Sequence, residues 1–114
     1  MESILLSIKK ALGIEVDLDI FDSDIIMHIN TAFNVLNQLG VGPENGFSIT
    51  GKNEIWSDFF PDSPNLEAIK TYIYIKVRLV FDPPTSSFVL QSLNDTAKEY
   101  EWRLNVQAEG GNYV

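Results

Sequence analysis

Residues 65–81, NLEAIKTYIYIKVRLVF, are the longest apolar run in the chain and stop abruptly at Asp82-Pro83-Pro84. Any fold has to bury this run, so the remaining segments are read by how they can pack against it. Its apolar residues satisfy two periods at once. With period 2, Ile73, Ile75, Val77, Leu79 and Phe81 share one face, and Tyr72, Tyr74, Lys76 and Arg78 share the other, as in a half-buried strand. With period 3.6, Leu66, Ile69, Ile73, Val77 and Val80 make a stripe, widened by Ala68, Tyr72, Ile75 and Leu79, with Glu67, Lys70, Tyr74 and Arg78 on a narrow polar edge. Length favours the helix, since ordinary strands run only about 5–6 residues. Ser63-Pro64 offers an N-cap with proline at the first helical position, and Asp82, preceding a proline, is pushed out of the α region. The expectation is a helix buried around more than half its circumference.

A chain of 114 residues forms one modest core. The expected domain covers residues 1–109, with 110–114 as a flexible tail. Apolar residues at 45% and charged residues at 21% are ordinary for a globular protein. With no cysteine there is no disulfide framework and no thiolate chemistry. The net charge of −8 repels a phosphate backbone, which argues against a basic patch on duplex DNA but allows a wall that DNA slides past. The opening MESILLSIKKALG lacks the basic and long apolar regions of a secretory signal, and no segment nears the ~20 apolar residues of a membrane span.

Residues 3–12 read as a short amphipathic helix through Ile4, Leu5, Ile8, Ala11 and Leu12, with Lys9 and Lys10 at its C-terminal end and Gly13 as its stop. Residues 15–24 gather Glu15, Asp17, Asp19, Asp22 and Asp24. A calcium loop fails on spacing, because counting from Asp17 puts Phe21 at position 5, Asp22 rather than glycine at 6, and His28 rather than glutamate at 12. The reading is a solvated acidic linker with Asp22 capping the next helix. That helix, residues 23–39, carries Ile25, Ile26, Ile29, Ala32, Phe33, Leu36 and Leu39 on one face and ends at Gly40. Asn30, Asn34 and Asn37 line its other side, either as an incidental solvated stripe or as a subunit contact. His28, the only histidine, sits in no motif.

Residues 41–62 are rich in glycine and proline yet hold Phe47, Ile49, Ile55, Trp56, Phe59 and Phe60. Residues 47–50 and 54–56, joined across Gly51-Lys52-Asn53, read as a small hairpin, which is marginal unless packed. The segment is either a lid folded over the helices or an arm reaching another subunit; removing it should unfold the chain in the first case and spare the fold in the second. After the rigid corner of Pro83-Pro84, with Thr85 or Ser86 as cap, residues 88–107 place Val89, Leu93, Ala97, Tyr100 and Leu104 at heptad-like spacing. Asp95–Lys98 and Glu99–Arg103 have helical ion-pair spacing, and Trp102 lies off the stripe as a second contact face. The sum is a mainly α, four-helix domain with a long β-hairpin-like loop between the second and third helices.

No catalytic, cofactor-binding or metal site is expected: there is no activated nucleophile beside a base and no GxSxG, HExxH or P-loop pattern. Recognition or assembly is the expected function, and the candidate interface residues are Phe47, Ile49, Ile55, Trp56, Phe59, Phe60, Trp102, Asn30, Asn34 and Asn37.

In residues 72–87, YIYIKVRLVFDPPTSS, and 100–106, YEWRLNV, the chain resembles the head–tail connector proteins (head-completion or adaptor proteins) of tailed phages and prophages of Gram-positive bacteria. The opening ILLSIKKALG, the segment DIIMHIN at 24–30, LGVGP at 39–43 and WSDF at 56–59 extend that resemblance to nearly the whole chain. It implies a helical subunit that forms a homo-oligomeric ring, usually a dodecamer, beneath the portal protein at the head–tail interface of the virion, assembled in the host bacterial cytoplasm. Such a ring extends the DNA channel, lets DNA pass without sequence-specific binding, and offers a platform to the next connector, stopper or tail protein. The family implies no catalytic residue, cofactor or membrane contact. A second reading from composition is a small acidic protein-binding regulator or DNA-mimic inhibitor acting as monomer or dimer. The two differ in stoichiometry and in whether the portal is bound.

Overall fold

The computed structural model describes residues 2–61 and 64–110. Among these, five helices account for the regular structure: α1 (Ile4–Ala11), α2 (Asp22–Gln38), α3 (Trp56–Phe59), α4 (Pro64–Phe81) and α5 (Ser87–Gly110). The chain is mainly helical as expected, but a short α3 lies inside the segment read as a hairpin.

The ambiguous run is the helix α4, and burial explains why. Leu66, Ile69, Tyr72, Ile73, Ile75 and Val77 are all buried. Adjacent Tyr72 and Ile73 are both inaccessible to solvent, which a strand with one solvated face could not achieve. A helix sandwiched between α2 and α5 can, because its buried arc is wide. Val80, assigned to the stripe from spacing, is exposed at the end of the helix. Pro64 is the first helical residue; the expected cap, Ser63, lies outside the described residues.

α2 supplies the opposing face with Ile25, Ile29, Ala32, Phe33 and Leu36. It ends in a Schellman motif, with Gly40 N–H donating to Asn37 O at 3.0 Å and Val41 N–H to Leu36 O at 2.9 Å. Gly40 sits at φ +85°, where a residue bearing Cβ is strained. α1 is capped by Ser3, whose Oγ accepts from Leu6 N–H at 3.3 Å. α5 starts under Ser86, whose Oγ accepts from Val89 N–H at 3.4 Å. It runs through Gly110, the first residue of the expected tail; the rest of that tail, residues 111–114, lies outside the described residues. Arg103 pairs with Glu99 at 2.9 Å as spaced, whereas Asp95 accepts from Gln91 Nε2 at 2.9 Å.

The acidic linker is corrected by the structure. Lys9 is 0% exposed, and its Nζ donates to Val16 O at 3.0 Å and Leu18 O at 2.8 Å. Asp22 Oδ1 lies 2.8 Å from the same ammonium as an ion pair, out of line for a hydrogen bond. Asp22 is therefore the first residue of α2 and not its cap: position N-cap belongs to Phe21, with no side-chain bond. A buried ammonium requires acceptors from all sides, and the linker meets that need by turning its carbonyls inward. Its alternating side chains Val16, Leu18 and Ile20 consequently face solvent.

Candidate interaction surfaces

Residues 41–61 close one side of the bundle. Ile49, Trp56 and Phe59 belong to the core, being 1, 4 and 4% exposed. No hairpin forms among the described residues; the one β-type contact is an isolated antiparallel bridge between Ser3 and Ile55, beside a bond from Ile4 N–H to Glu54 O at 3.0 Å. Side chains take the place of the missing ladder. Asn30 Oδ1 accepts from Ile49 N–H at 2.7 Å while Asn30 Nδ2 donates to Ile49 O at 3.0 Å, so one amide presents to Ile49 the donor and acceptor of a neighbouring strand. Asn37 Nδ2 donates to Pro43 O at 3.2 Å and Glu44 O at 3.3 Å. The asparagine stripe thus holds the loop against α2 at two of its three positions, and Asn34 remains exposed beside it. Farther along, the Glu54 carboxylate accepts from Thr50 N–H at 2.8 Å and Thr50 Oγ1 at 3.0 Å. The bond from Thr50 N–H is the main reason its pKa is lowered.

The aromatic residues lock the same loop. Phe59 packs on Phe33 at 4.6 Å, Phe47 at 5.4 Å and Phe60 at 6.0 Å between ring centroids. Its ring also lies over Gly42, where a Cβ would come within 2.4 Å of the ring edge. Trp56 Nε1 donates to Ser7 Oγ at 2.9 Å, tying α3 to α1, and Lys70 Nζ stands 5.6 Å from its ring centroid. Asp58 Oδ2 caps α3 by accepting from Ile55 N–H at 2.9 Å. Of the candidate interface residues, then, Ile49, Trp56 and Phe59 are buried in this fold; Phe47, Ile55, Phe60, Asn30 and Asn37 are half-buried; Asn34 and Trp102 are exposed.

α5 provides the freest surface. Ala97 and Leu104 are buried against the bundle, with Leu93, Tyr100 and Ala108 packed partly beside them. On another side Trp102 is 67% exposed and Val106, one turn later, is also open. Asn105 Nδ2 donates to Leu39 O at 3.2 Å, anchoring the helix to the end of α2. Between the two ends lies a half-buried polar clasp: Tyr72 Oη donates to Glu101 Oε2 at 2.7 Å, and Lys76 Nζ stands 3.7 Å from the same oxygen. Burial, followed by the Glu101 carboxylate, pushes the phenol well above its ordinary value. A group whose folded pKa is raised stabilises fully below its unfolded pKa, about 10 for tyrosine, and that stability is lost as pH rises towards the folded value. Tyr72→Phe is expected to cost about 1–2 kcal/mol at pH 7 and to flatten the fall in thermal stability above about pH 10, measured as melting temperature against pH.

A groove of about 430 Å³ opens where the last turns of α5 meet the loop, lined by Val41, Phe59, Phe60, Pro61, Asn65 and Leu104 among others. Among the described residues no three His, Cys, Asp or Glu side chains are grouped to hold a metal ion, and no helix is long and apolar enough to cross a membrane.

The loop's burial was not readable from local pattern, because its partners on α2 lie far away in sequence. The asparagine spacing was the one available signal. No curated protein and no solved structure matches the chain. The family model described as Phage connector protein matches residues 4–111. Covering nearly the whole described fold, that match places the chain in the phage connector protein family.

Proposed function

We propose that this protein is the head–tail connector subunit that forms a homo-oligomeric ring, a dodecamer, beneath the portal, extends the DNA channel and carries the next connector, stopper or tail protein. The observation that carries the reading is the family match over residues 4–111. Two features of the subunit support it. Its long last helix leaves Trp102 and Val106 uncovered, which suits a contact made in an assembly. The net charge of −8 suits a wall that DNA passes without sticking. The place of action is the virion's head–tail interface, after assembly in the bacterial cytoplasm, and the role is structural.

Light scattering on the protein alone and mixed with the portal protein of the same genome, followed by negative-stain imaging, tests this. The expected result is a ring, or a cap on portal particles. A strict monomer or dimer that ignores the portal would overturn it and return attention to an acidic regulator.

A further inference from the structure

We propose that neighbouring subunits join by seating Phe88 of one copy in the groove at the far end of α5 of the next; this rests on the ring reading above. Phe88 is the most exposed of the exposed large apolar side chains, at 81%, and stands on the first turn of α5 with Val89 exposed beside it. An apolar ring so placed gains most by entering an apolar hole. The groove offers an apolar wall in Val41, Phe59, Phe60, Pro61 and Leu104, while nearly half of its exposed lining is polar. Its volume of about 430 Å³ lies in the range of preformed binding pockets.

Charge selects a second copy as the occupant. Two chains of −8 repel one another, so a contact between copies costs least where both faces are uncharged. The sequence from Pro83 to Asn94 contains no charged residue, although Asp82 and Asp95 flank it. Among the described residues none that lines the groove is ionisable, and its amides, Asn65 and Gln107, suit the backbone that would accompany Phe88. Knob and groove are therefore both uncharged on a molecule of net charge −8.

Their positions fix the symmetry. Phe88 and Leu104 are separated along one helix by about 24 Å at 1.5 Å per residue. The knob and the hole are different patches, so a head-to-tail contact is heterologous and propagates, closing into a ring when the rotation permits.

The test uses the absence of cysteine. In Phe88→Cys/Gln107→Cys the two positions lie about 28 Å apart on one rigid helix, so no disulfide can form within a copy. With portal protein present, mild oxidation should give a ladder of linked subunits from the double variant and none from either single variant. Phe88→Ser should keep the native melting temperature, because the side chain is solvated, yet raise the concentration needed for assembly at least tenfold. Rings that form normally with Phe88→Ser, or that give no ladder, would overturn the proposal while leaving the ring reading intact. Disulfide dimers from Phe88→Cys alone would show a two-fold contact and also overturn it. So would a ladder that appears only after deletion of residues 111–114, since the groove would then belong to the chain's own end. If no variant and no native protein assembles with the portal, the ring reading fails and this contact with it.

Discussion

Lys9→Met is expected to lower stability by about 3 kcal/mol, the lower end of the range for breaking a buried ion pair. Methionine preserves the volume of the stem, so the loss measures the ammonium and its partners rather than a cavity. Val16 O, Leu18 O and Asp22 Oδ1 would all lose the cation that satisfies them. The low end of the range applies because Asp22 keeps 29% of its side chain in water and is partly resolvated. For a domain of this size the loss corresponds to a fall in melting temperature of about 10–15 °C. Adding Asp22→Asn should recover only part of it, because the two carbonyls stay orphaned. A fall under about 3 °C, less than 1 kcal/mol on the same scale, would show that the linker is held by something else. Hydrogen exchange should also show residues 14–22 opening ahead of the bundle.

Phe59→Ala is expected to cost about 3–5 kcal/mol, the range for truncating a buried phenylalanine. The ring fills the space between Phe33 of α2, Phe47 and Phe60, and it covers the open face of Gly42. Collapse cannot refill that space cheaply, since the Asn30 amide pins Ile49 and the Trp56 indole pins α3 to Ser7. Equilibrium denaturation measures the loss. A cost below about 1 kcal/mol, ordinary for a surface position, would mean that the loop does not pack as described. The same packing implies that deleting residues 41–61 unfolds the chain instead of sparing it, the outcome expected of a lid.

These two sites show what could be read locally and what could not. The spacing of Ile25, Ile29, Ala32, Phe33 and Leu36 announced α2, and Gly40 announced its end, because amphipathic period and cap geometry are properties of neighbouring residues. The hairpin read from residues 47–56 failed for a reason no local pattern carries. Its strand-like pieces find their hydrogen bonds at Asn30 and at the Glu54 carboxylate, so no ladder is needed. Lys9 was read only as a cation at the C-terminal end of α1; its burial was not legible, because lysine is almost never buried without partners, and two of its partners here are backbone carbonyls, which every residue has and no sequence reveals.

The candidate interface divided along the same line. Aromatic and asparagine residues were singled out as a candidate interface, but whether an aromatic side chain meets its own chain or another depends on where the loop lands. Only the fold separates Trp56 and Phe59, which stay inside, from Trp102 and Phe88, which stay outside.

By itself the sequence determined the helical class, the positions of the main helices, the acidic surface and the resemblance to connector proteins, all of which follow from local period, punctuation and composition. The tertiary structure alone decided that residues 41–61 form a lid and that the acidic linker wraps an ammonium. Each of those depends on contacts between segments distant in the chain, where one buried polar group or one aromatic ring outweighs local propensity.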